Sequence, residues 1–83
     1  MSFEELSNEY SQAVQALEAI EAQASTLLLL GGTDDLRSFL DQFLIMAARA
    51  KATAQDAGEE HFVEWFNELI ERAEAIRAGL AGR

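Results

Sequence analysis

The one histidine of the chain, His61, is followed by Glu64 and Glu68, and a His–Glu pair at i, i+3 on a helix could share a metal ion. The di-iron arrangement of helical bundles needs a glutamate three residues before its histidine. Gly58 stands there instead, and inward carboxylates on two further helices are missing. Glu60, Glu64, Glu68, Glu71 and Glu74 read more simply as a solvated face opposite Phe62 and Phe66. Asp34-Asp35 and Glu59-Glu60 are paired carboxylates of the type that divides acid and base roles when the two environments differ. Both fall at expected helix starts, where the macrodipole already accounts for them.

Nucleophilic catalysis asks for Ser, Cys, Thr or Lys beside a base. The chain has no Cys, its only Lys is Lys51, and Ser7, Ser11, Ser25 and Ser38 occupy ordinary polar helix positions with no elbow-type turn around them. Neither a P-loop nor a dinucleotide-binding glycine pattern is present, and Gly31-Gly32 reads as a helix terminator. No catalytic residue, cofactor, metal or small-molecule substrate is expected.

The elements that carry these residues are helices. The 83 residues suffice for one domain, 1–83. Of the 49% apolar residues fifteen are Ala, there is no Pro, and the turn clusters of a β protein are lacking. In the first helix, expected over about 3–30, Ser2 and Glu5 form a capping box, with Met1 and Leu6 placed for a hydrophobic staple. Phe3, Leu6, Tyr10, Ala13, Leu17, Ile20, Ala24 and Leu27 then follow alternating spacings of three and four. Such a heptad seam predicts a long helix coiling gently around a neighbour.

Thr33 is the expected N-cap of the second helix, about 34–57, with the stripe Leu36, Leu40, Phe43, Ala47, Ala50, Ala54. Phe39, Leu44 and Met46 widen this stripe to roughly 160°, while Ile45 lies on the other side. The third helix, about 60–78, carries Phe62, Phe66, Leu69, Ala73, Ile76 and Leu80, widened by Val63, Trp65 and Ile70. The stripe restarts out of phase at Phe62, beside Gly58, and Asp56 with Glu59 offers a second capping box. A turn near 56–60 is therefore expected in place of a hinge in one long helix. Short connections predict an all-α, up-down-up three-helix bundle, which could dimerise through coiled-coil-like packing.

A net charge of −9 opposes direct binding to nucleic acid or to an anionic membrane. No run of large apolar residues exceeds four, as in Leu27 to Leu30, which is far too short for a membrane span, and no basic-then-apolar leader opens the sequence. A cytoplasmic protein is expected. Tyr10, Phe43, Phe62 and Phe66 read as core, whereas two stripes are wider than so small a bundle needs. The surplus predicts a partner-binding surface, mainly on helices 2 and 3, at Phe39, Leu44, Ile45, Met46, Val63, Trp65 and Ile70. The expected function is a non-catalytic protein-interaction module, a regulator that inhibits or scaffolds a larger protein in the manner of an antiactivator. The alternatives are a self-associating homodimer and an acidic mimic of nucleic acid seated in a DNA-binding cleft.

Overall fold

Every third and fourth residue of the first seam turns to the same side, and that side is where the chain folds back. The computed structural model describes residues 3–81 and consists of α1 (Phe3–Leu29), α2 (Thr33–Asp56) and α3 (Glu60–Ala81). All three helices pack on one another as an all-α bundle with Cα extents of 41 × 20 × 15 Å. The capping box of Ser2 and the staple of Met1 lie outside the described residues.

Both connections use the same device. At the end of α1, Gly31 adopts φ 79°, its N–H donates to the Leu28 carbonyl (3.3 Å), and the Gly32 N–H donates back to Leu27 (2.6 Å). At the end of α2, Gly58 adopts φ 74°, donates to Gln55 (3.1 Å), and the Glu59 N–H donates to Ala54 (2.9 Å). These are paired Schellman closures, which satisfy the last carbonyls of a helix through a left-handed residue.

In each turn the residue that closes one helix also opens the next. The Gly32 carbonyl accepts from Leu36 (3.0 Å) and the Glu59 carbonyl from Val63 (3.2 Å). This economy overturns two capping expectations. Thr33 is already inside α2, with Gly32 at the N-cap position and no side-chain cap bond, and Asp56 is the last residue of α2 and so does not cap α3.

Helix α3 also runs past the expected stop at 78. Gly79 keeps a helical backbone, and Leu80 beyond it is 2% exposed, so packing of the last turn outweighs the roughly 1 kcal/mol cost of an interior glycine. A contrast between two glycines follows. Gly58→Ala will destabilise by about 1–2 kcal/mol because an L side chain resists that φ. Gly79→Ala, whose new Cβ would meet nothing within 4 Å, will stabilise by about 0.5–1 kcal/mol. Urea denaturation of the two variants, followed by circular dichroism, reads both signs.

The core takes Leu6, Ala13 and Leu17 from α1, six residues from Leu36 to Ala54 of α2, and Phe62, Phe66, Leu69, Ala73 and Leu80 from α3. Tyr10, expected in the core, is only half-buried, and Phe3 is 64% exposed at the end of the seam. Both rings belong to an aromatic cluster at the end of the bundle near the α2–α3 turn. Phe62 meets Phe3 edge-on at 5.3 Å between centroids, and Tyr10 contacts Phe66 at 5.7 Å and Trp65 at 5.4 Å. Polar links tie α3 to both neighbours. Arg72 reaches Glu21 of α1, Arg77 meets Asp41 of α2 at 3.2 Å, and Lys51 of α2 donates to Asn67 at 3.0 Å. These pairs are half-exposed and contribute on the order of 0.2–1 kcal/mol each. No helix among the described residues is long and apolar enough to cross a membrane.

Candidate functional site

The seven residues expected to form one partner surface occupy different sides of the bundle. Leu44 and Ile70 face each other across the α2–α3 seam, where with Ala48 and Arg77 they line a shallow depression. Val63 sits beside the α2–α3 turn with Ala54 and Gly58. Trp65 turns toward α1 and lies against Tyr10, Phe62 and His61, and it remains 42% exposed apart from the other six. Phe39, Ile45 and Met46 come together as a second group, along the opposite, α1-facing flank of α2. The division follows from phase: α3 covers the Leu44 side of the α2 stripe, and α1 covers the Phe39 side only in part.

What α1 leaves open is a groove in two adjoining parts. One, of about 430 Å³, is floored by Ala13, Ala47, Ala50 and the Phe66 ring, with Ile45 and Met46 on its lip. The other, of about 450 Å³, runs between Ala16, Ala19 and Ile20 of α1 and Phe39 and Phe43 of α2. Gln42 and Met46 line both parts and make them continuous. Part of the α1 wall is made of the short side chains Ala13, Ala16 and Ala19, which leave space against α2. Phe39, Met46 and Ile45 therefore remain 44%, 40% and 56% exposed. For three large apolar side chains on one flank of one helix, this is a contiguous apolar surface, not scattered exposure.

Charge is distributed just as unevenly. A quarter of the chain is charged, yet no charged residue lines the Phe39 part of the groove. In the Met46 part, Glu9 and Arg49 stand as one acid and one base. Most of the acids that give the net −9 lie elsewhere, including Glu64, Glu68, Glu71 and Glu74 on α3. Among the described residues no three His, Cys, Asp or Glu side chains come together as a metal-binding group, and no buried side-chain polar atom lacks a hydrogen-bond partner.

The α1 wall (Ala16, Ala19, Ile20 and Gln12) was not among the expected site residues. Its sequence signal is a row of alanines beside the heptad seam, which reads equally well as helix-forming filler. The fold and the groove together define an all-α three-helix bundle with an apolar cleft between α1 and α2. Compared with known proteins, the chain matches no family model, no curated protein and no solved structure.

Proposed function

We propose that the chain is a non-catalytic protein-interaction module that takes an apolar helix into its α1–α2 groove, and through that contact inhibits or scaffolds what it binds. The observation that carries this reading is the uncharged strip of Phe39, Ile45 and Met46 around the neutral amide of Gln42, on a protein of net charge −9. An ordinary solvated face would carry its share of acids. Helix-in-groove recognition reads anchors at i, i+3, i+4 and i+7, and a cleft between two long helices suits a third laid along it. Aromatic and Met side chains with few charges are also what the centre of an interface favours.

The test is a tagged pull-down with the wild-type chain and Met46→Glu, washed at low and at high salt and read by mass spectrometry. A stoichiometric protein held by the wild type at high salt and lost with Met46→Glu is the expected result, because apolar contact survives screening. Retention that ignores the substitution overturns the assignment to this groove. Retention lost at high salt points instead to charge mimicry of nucleic acid, where binding falls steeply with ionic strength.

A further inference from the structure

The α2 flank of the groove has a symmetry that a foreign helix would not require. Asp35, Gln42 and Arg49 recur at spacings of seven along it, so they share one side of the helix, and all three are exposed. An acid stands at one end, a base at the other, and a neutral amide between them. Two such helices laid antiparallel about Gln42 place each Asp35 level with the partner's Arg49. The same register sets Phe39 against the partner's Ile45 and Ser38 against the partner's Met46.

We infer that the helix the groove accepts is α2 of a second copy of this chain, antiparallel and centred on Gln42. The inference rests on the docking reading above and names its occupant. Two chains of net charge −9 repel each other, so self-association needs a contact face free of acids at its centre, and this flank is the place where the groove provides one. Charge complementarity is built in at the rims. The described residues give the Arg49 side chain no ion pair, whereas Arg37, Arg72 and Arg77 each have a carboxylate within 4.0 Å. A two-fold axis through Gln42 supplies Arg49 with one, twice per dimer. The interface is isologous and closes, with the α1 wall of each copy flanking the paired α2 helices in a four-helix layer.

Sedimentation equilibrium of the full chain over a dilution series is the test. The wild type is expected to sediment as a dimer. Ile45→Glu, exposed in the isolated chain, should leave helicity intact and weaken dimerisation by about a hundredfold. Asp35→Arg and Arg49→Asp each place two like-charge pairs in the homodimer and should weaken it about tenfold. Mixing those two variants restores opposite charges at both rims, so the mixture should associate as tightly as the wild type. A dimer that Ile45→Glu leaves intact overturns the inference, as does a mixture no tighter than either variant alone. A monomer at every concentration overturns it too. If a foreign protein is then captured in a Met46-dependent way, the groove reading survives without the second copy, and if nothing is captured both fall.

Discussion

Phe66→Ala will lower the stability of the bundle by about 3–5 kcal/mol, as measured by urea denaturation followed by circular dichroism. The ring is 0% exposed, meets Tyr10 edge-on, and forms part of the groove floor beneath Ala13, Ala47 and Ala50. Truncation removes the largest fully buried side chain at the meeting of all three helices. The space it leaves opens into the groove, so neighbours cannot close over it and water enters beside the apolar floor. For a chain of this length the whole stability is on the order of 4–12 kcal/mol. A loss of that size also lowers the thermal midpoint by more than about 12 °C, and a fall of less than about 1 kcal/mol would show that Phe66 does not key the core.

Leu17→Ala will cost about 2–5 kcal/mol, and its effect will be concentrated on α1. Helix α1 spans 27 residues but buries only Leu6, Ala13 and Leu17, whereas α2 buries six residues in 24. One of those three is an alanine, so Leu6 and Leu17 are the large, fully buried anchors of α1, at about 1.5–3 kcal/mol each, with Tyr10, Val14, Ile20, Leu27 and Leu28 only partly buried beside them. An isolated helix of this length is marginal in water, and α1 without its packing frays. Amide hydrogen exchange in Leu17→Ala should therefore rise in α1 more than in α2 and α3, which remain joined by their own seam and by the Arg77–Asp41 and Lys51–Asn67 links. Uniform acceleration across all three helices would mean instead that the bundle opens as one unit.

These two side chains mark how far a linear reading reaches. Leu17 and Phe66 were both legible as core, since each sits mid-stripe where the 3.6-residue period fixes its direction. The exposure of Phe39, Ile45 and Trp65 followed from the same phase argument, and the structure has all three partly open. Tyr10 and Phe3 also sit on the seam, but they lie toward the bundle end, where neighbours run out and packing, unlike periodicity, is incomplete.

The caps were less legible. Ser, Thr, Asp and Asn are the preferred N-caps, and that preference pointed to Thr33 and Asp56. It was overridden because each turn is so short that the residue closing the first helix must open the second. The glycines at 31 and 58 signalled where to turn but not that Gly32 and Glu59 would serve two helices at once.

From its pattern alone the sequence determined three amphipathic helices, their order, their two turns and most of the core, because helical period and backbone freedom are local properties. Which surplus apolar residues would stand together was decided only by tertiary packing. The helix phase put Phe39, Leu44, Met46 and Ile70 on stripe edges without saying which neighbour each edge would meet. Once α3 had covered the Leu44 edge and the alanines of α1 had fallen short of the Phe39 edge, the α1–α2 groove remained. The Asp35–Gln42–Arg49 row is written in the sequence, but it acquires meaning only when the fold leaves that flank of α2 uncovered.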